Sequence, residues 1–195
     1  MNKQKLGPLN LLAPLLPVLV GTNVGNKPNY ITVAFIGWHC FDTISVSVGH
    51  RQYSNVGIKE NGTFSVNQPS TGMVKKLDYC GLYSGRKVDK SLLFENFYGE
   101  LQTAPMIKEC PVNFECKVIQ SFDRPLHTVF IGEVREVYFD TNCLTDGVPD
   151  VSKIDPILFS PKLGAKGSTK SFSGSYWRLG EHLAEAWEIG KELKS

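Results

Sequence analysis

The chain has 195 residues, 42% of them hydrophobic and 21% charged, with a net charge of +2. That length and balance describe an ordinary globular protein with a real core, most simply one domain spanning 1–195. A charge this mild argues against nucleic acid or an anionic membrane as partner, since such modules carry strong, clustered basicity, so any anion site has to be local.

The N-terminus reads "MNKQK" and then "LGPLNLLAPLLPVLVG", the charge-then-apolar order of a secretory leader. Pro8, Pro14 and Pro17 would break the helix such a leader needs, and the run is too short to span a bilayer. "LPVLVGT" reads better as a first buried strand. The turn-rich "NVGNKPN" and the β-branched, aromatic run "YITVAFIGW" then complete a hairpin. In "TISVSVG" Ile44, Val46 and Val48 share one face, with Ser45 and Ser47 on the other. Next come "VGIKEN", a short helix that Ser54 or Asn55 could cap, the tight turn at Asn61-Gly62, and the short strand "GTFSVNQ". "STGMVKKLDYCGLY" has helical spacing that gathers Met73, Leu77 and Cys80.

Two long β-rich segments follow, "FECKVIQSF" and "HTVFIGEVREVYFD". "SPKLGAKGSTKSFSGS" reads as a mobile loop over 160–175, whose Lys162, Lys166 and Lys170 could receive an acidic redox protein or nicotinamide phosphates. "GEHLAEAWEIGKELK" has Leu183, Trp187 and Gly190 at helical spacing and predicts a closing helix. Many short strands and few helices predict a mainly β fold, a closed or nearly closed antiparallel barrel with flanking helices.

The five cysteines are scattered with no C-x-x-C, which fits a reducing cytoplasm better than a disulfide framework or a zinc ribbon. Cys110 and Cys116 are close enough for a redox pair, but Pro111 and the apolar neighbours favour packing. Neither standard phosphate loop is present, H-E-x-x-H is missing, and the four histidines are far apart, so no metal site is expected. The S-x-x-K match at Ser84–Lys87 lacks its companion motifs.

Two features do point to a ligand. "SGRKVDK" concentrates Arg86, Lys87 and Lys90 around a single acid, Asp89. "SVSVGHRQYSN" runs off a strand into His50, Arg51, Tyr53, Ser54 and Asn55 at a helix start, a combination suited to phosphate.

Taken with these, the ordered motifs "GNKPNYITVAFIGW", "SVSVGHRQYSNVGIKENGTFSVNQPS", "DYCGLYSGRKVDK", "HTVFIGEVREVYFD" and "YWRLGE" resemble flavin-reductase-like, flavoredoxin-type proteins over nearly the whole chain. The resemblance implies a Greek-key split β-barrel, a homodimer, and FMN held non-covalently near the subunit interface. It implies that Asn29, Tyr30, Ile31 and Thr32 run along the flavin ring, and that Ser47, Val48, Gly49, His50 and Arg51 follow ring and ribityl chain. Ser54 and Asn55 would reach the phosphate, Lys90 would contact phosphate or ring, and His127 would lie near the flavin. Phe35 stands where many flavoredoxins have Trp, and Asp42-Thr43 where many relatives have a proline pair. Either Tyr176 or Trp177 covers the ring, Trp177 being carried as the contact.

The chemistry would belong to the flavin, with no side chain required as nucleophile or general acid. Electrons would come from NAD(P)H or a small ferredoxin-like protein and pass to flavin, ferric or protein acceptors. A non-catalytic FMN module for sensing or storage is the alternative.

Overall fold

The computed structural model describes residues 2–5, 12–162 and 173–193. The first hairpin is as expected: β1 (Val18–Val24) pairs antiparallel with β2 (Lys27–Val33), Val24 opposite Lys27. The two residues between them, Gly25 and Asn26, have φ of 56° and 64°, the left-handed pair that matches strand twist in a tight hairpin. The run "YITVAFIGW" is not one strand. It breaks at Ala34-Phe35, and β3 (Ile36–Cys40) pairs instead with β4 (Thr43–Gly49).

That break governs the fold. After helix α1 (Tyr53–Asn61) come β5 (Thr63–Gln68), helix α2 (Val74–Leu82), and the two-residue strands β6 (Asn96–Phe97) and β7 (Met106–Ile107). The long pair β8 (Val112–Asp123) and β9 (His127–Phe139) completes a seven-stranded antiparallel sheet in the order β2-β1-β5-β8-β9-β4-β3. Consecutive strands β2 and β3 therefore sit at opposite edges. A flat sheet of seven strands would separate its edges by about 29 Å, whereas the link from Val33 to Ile36 reaches about 11 Å at most. The sheet has to curl into a barrel, and the Ser47 amide holds the link against β4 by donating to the Phe35 carbonyl at 2.9 Å, one step beyond the β3–β4 pairing. The β2 and β3 edges are not paired with each other among the described residues, so the barrel is split.

Alternation fills it. Val18, Val20, Ile31, Val33, Ile44, Val46, Val48, Phe64, Val66 and Phe130 meet inside, with Ile58 of α1. The opposite faces of β1 and β2 are buried too: Leu19 and Tyr30 pack against Met73, Leu77 and Cys80 of the helical segment after Ser70. Cys116 lies in the barrel core and Cys110 in this second cluster, its Sγ 3.8 Å from Met73 Sδ. All five cysteines are free thiols. A hairpin β10 (Leu144–Thr145) and β11 (Val148–Pro149), a helical turn α3 (Val151–Ile154), and the pair β12 (Ile157–Lys162) with β13 (Ser173–Arg178) complete the described chain.

Four expectations change. α1 begins at Tyr53 with Gln52 as its unbonded cap, so Ser54 and Asn55 lie in its first turn and do not cap it. Asn61-Gly62 is the end of that helix: Asn61 is still helical, its amide donating to the Gly57 and Asn23 carbonyls, and Gly62 alone turns left-handed. The loop expected over 160–175 is strand at Ser160–Lys162 and Ser173–Ser175, held by register from Ser160↔Ser175 to Lys162↔Ser173. Residues 163–172, with Lys166 and Lys170, lie outside the described residues. The C-terminal helix is absent among the described residues: 179–188 carry no regular structure and only a 3₁₀ turn forms at Ile189–Leu193. A short helix is marginal without a surface for its apolar stripe, and Leu183 and Trp187 have none here.

Candidate functional site

At the split in the barrel lies a groove of about 720 Å³, within the roughly 300–1,000 Å³ usual for small-molecule sites. One wall is the end of β2 and its link, Ile31 to Phe35, and another is the end of β4, Ser47 to Gly49. Leu126 and His127 come from the start of β9, and Asp78, Gly81 and Leu82 from one stripe of α2. Gly174 and Tyr176 close one end from β13. The Tyr176 hydroxyl donates to Asp78 Oδ1 at 2.8 Å, and burial, then the Asp78 carboxylate, push this phenol above its ordinary range. Phe35 meets the His127 ring edge-on, with centroids 5.8 Å apart. Among the described residues no lysine or arginine lines this groove.

The cations gather next door. A smaller cavity of about 240 Å³ is lined by Lys27, Pro28, Asn29, Tyr53 and the loop from Gly85 to Lys90. Lys90 is 3% exposed, and its Nζ donates to the Tyr30 carbonyl at 2.9 Å and the Cys80 carbonyl at 2.7 Å. An ammonium has three protons, so two carbonyls leave one donor for something else. Burial lowers its pKa, partly offset by the Cys80 thiol, and no carboxylate makes an ion pair with it among the described residues. Arg86 lies over the Tyr53 ring at 4.8 Å. Gly85 is what lets the loop sit so close, because a Cβ there would overlap Asn29 Oδ1 and come within 3.0 Å of Tyr53.

Groove and cavity adjoin along three segments. β2 gives Asn29 to the cavity and Ile31 and Thr32 to the groove. The start of α1 gives Tyr53 to the cavity and Gln52 to the groove. α2 gives Gly81 and Leu82 to the groove, and the loop after it gives Gly85 to Lys90 to the cavity. The site as a whole runs from apolar and aromatic to cationic. The first turn of α1, which has no side-chain cap, lies at this junction through Gln52 and Tyr53.

Of the residues singled out in the sequence, Ile31, Thr32, Phe35, Ser47, Val48, Gly49 and His127 line the groove, and Asn29 and Lys90 the cavity. The others lie elsewhere. Tyr30 turns its ring into the core, edge-on to Phe94 at 5.2 Å, with its hydroxyl on Asn96 Oδ1 at 2.6 Å. The side chains of Ser54 and Asn55 are buried in internal bonds: Asn29 Nδ2 donates to Ser54 Oγ at 2.7 Å, and Asn55 Nδ2 to the Val48 carbonyl at 3.0 Å. His50 Nε2 bonds the Arg124 carbonyl at 2.8 Å, and Arg51 is exposed. Trp177 projects to the face opposite Tyr176 and is 60% exposed, so Tyr176 is the residue that enters the groove. Sequence reasoning missed Gln52, Asp78, Gly81, Leu82 and Leu126; the 78/81/82 spacing was a readable stripe of α2.

Residues 14–159 match the flavin reductase like domain, and the chain belongs to that family. It is 31% identical over 156 residues to an uncharacterised protein of Archaeoglobus fulgidus, covering 78% of this chain and 87% of that one. Among solved structures it is similar to flavoredoxin from Methanosarcina acetivorans, at 41% identity and a TM-score of 0.89 over 99% of this chain and 100% of that one. It is also similar to flavoredoxin of Desulfovibrio vulgaris, at 36% identity and a TM-score of 0.85 over 96% and 99%.

Proposed function

We propose that the chain is an FMN-binding electron-transfer protein that works as a homodimer. The observation that carries this reading is the adjacency of a groove lined, among the described residues, by mostly apolar side chains and no lysine or arginine, to a cavity lined by Lys27, Arg86, Lys87 and Lys90. A flat aromatic ring system with an anionic tail suits that pair of spaces. Ile31, Thr32, Phe35, Ser47 to Gly49, His127 and Tyr176 would hold the ring, and the buried Lys90 ammonium with Arg86, Lys87 and the first-turn amides of α1 would meet the phosphate. Asn29, Ser54 and Asn55 act one layer back, by fixing β2 and β4 against the start of α1.

Bound flavin supplies the redox chemistry, accepting a hydride or electrons and releasing them. The chain excludes water with Ile31, Val48 and Tyr176, and places the His127 and Asp78 side chains in the groove. A nicotinamide or a small redox protein would donate, and flavin, ferric complexes or a protein would accept. The exposed Trp38 and Phe41, beside Phe35, mark the face a second subunit would bury. Five unpaired thiols suit a reducing cytoplasm, and no helix among the described residues is long and apolar enough to cross a membrane.

Titration of the apoprotein with FMN, followed by quenching of flavin fluorescence, tests the reading. One FMN per chain is expected, with NADH or NADPH oxidation then separating reductase from carrier. Failure to saturate at any FMN concentration overturns the assignment.

A further inference from the structure

We infer that the C-terminal arm, 179–193, crosses to a second copy of this chain and closes the mouth of that copy's groove. The inference rests on the reading above only for what the groove holds. Arg178 is the last anchored residue: its guanidinium makes an ion pair with Asp155 at 2.9 Å and donates to Thr71 Oγ1 at 2.6 Å. Beyond it, residues 179–191 are all exposed. Their polar contacts are internal, with the amides of Glu188 and Ile189 on the Glu185 carbonyl and the ion pairs His182–Glu185 and Glu188–Lys191.

Yet the arm is not a polar tail. Leu183 and Trp187 are 96% and 92% exposed, and Ile189 and Leu193 are exposed as well. Leu183 and Trp187 are four residues apart, the spacing of one helix face. An amphipathic segment of this length orders when that face is buried, and no described residue of its own barrel covers it.

The receiving surface is on the same chain. Leu82 and Leu126 line the groove and are still 69% and 73% exposed, so one subunit leaves the mouth open on its apolar side. From Phe35 the apolar surface continues along β3 to Trp38 and on to Phe41, whose rings meet edge-on at 6.3 Å. Arg51 and Arg124 are exposed nearby without an acidic partner among the described residues, while the arm carries Glu181, Glu185 and Glu188.

Because both halves of the contact belong to one sequence, a two-fold exchange satisfies both at once and closes the assembly. Trp187 alone brings roughly 150–250 Å² of surface, and its exchange in both directions makes a substantial part of the about 800 Å² per partner of a stable interface. Reach is sufficient: fifteen residues span about 22 Å as a helix and about 50 Å extended.

The test mixes equal amounts of isotopically light and heavy apoprotein, lets subunits exchange, and applies a lysine-reactive cross-linker. Links from Lys191 to body lysines such as Lys59 are expected in mixed-isotope pairs. Links found only within one isotope overturn the inference, since the arm then folds back on its own barrel. Independently, Leu183→Glu with Trp187→Glu should raise the dimer dissociation constant at least 100-fold, read by sedimentation, with the circular dichroism of the barrel kept and only the arm's helical contribution lost. A dimer constant within threefold of the parent also overturns it. No FMN is present in either assay, so failure of the flavin assignment shows separately, as a parent protein that does not titrate.

Discussion

Lys90→Met isolates the charge at the centre of the site, because methionine keeps an apolar stem of similar length. The lysine makes two charge-assisted hydrogen bonds to backbone carbonyls, at 2.9 and 2.7 Å. Deleting such bonds costs about 1.5–3 kcal/mol each, but burying an ammonium without a carboxylate carries a desolvation penalty of several kcal/mol. The lowered pKa of Lys90 is the trace of that penalty. The two effects oppose, so the apoprotein should change in stability by only about 1–2 kcal/mol in urea. Flavin binding has no such compensation: losing one charged hydrogen bond to the phosphate costs about 2–3 kcal/mol, about 30- to 160-fold in Kd. Lys90→Ala should destabilise the apoprotein by about 2–3 kcal/mol, since it also empties space between β2 and α2. Fluorescence titration and urea unfolding of both variants check this. If Lys90→Met bound FMN within threefold of the parent, Lys90 would be a structural clamp and no part of the anion site.

Three further outcomes are expected. Gly85→Ala should destabilise the chain by about 1–3 kcal/mol and weaken FMN binding, because a Cβ would overlap Asn29 Oδ1; parental affinity and urea midpoint would show that the loop position is not needed. Native protein should react with a chromogenic disulfide reagent at one fast thiol, Cys40, while Cys80, Cys110, Cys116 and Cys143 are buried with raised pKa values and wait for unfolding. Apoprotein stability should fall above pH 9: burial pushes the Cys80 thiol to about 11 and Cys110 and Cys116 above their ordinary value, so their contribution is full below pH 9 and lost as pH rises through the folded values. Lys90, lowered by burial, works with the opposite sign, gaining stability as pH rises toward 10.5, but it is one group against the four raised thiols, Cys143 included. A urea midpoint that climbs from pH 8 to pH 10.5 would contradict this balance.

Much of the molecule was legible before folding. Alternation in "TISVSVG" assigned Val46 and Val48 to the core, and helical spacing gathered Met73, Leu77 and Cys80, because local periodicity decides which face can be buried. The cation cluster "SGRKVDK" was also visible without help from the fold, and Arg86, Lys87 and Lys90 do line one cavity. What periodicity could not express was which side of a residue is used once strands from distant segments meet. Tyr30, Ser54 and Asn55 look like ligand residues in a motif, but their side chains are committed to Asn96, Asn29 and Val48. Tyr176 and Trp177 are indistinguishable in "YWRLGE"; only the β12–β13 register, Phe159 opposite Tyr176, sends one into the groove and the other to solvent. The C-terminal arm reverses the case. Its sequence has the stripe of a helix, but a stripe is stable only against a surface, and Leu183 and Trp187 are packed against none. The barrel itself was settled by a constraint no window of sequence displays: β2 and β3 are neighbours along the chain and opposite edges of the sheet, so the short Ala34-Phe35 link forces the curl that opens the groove.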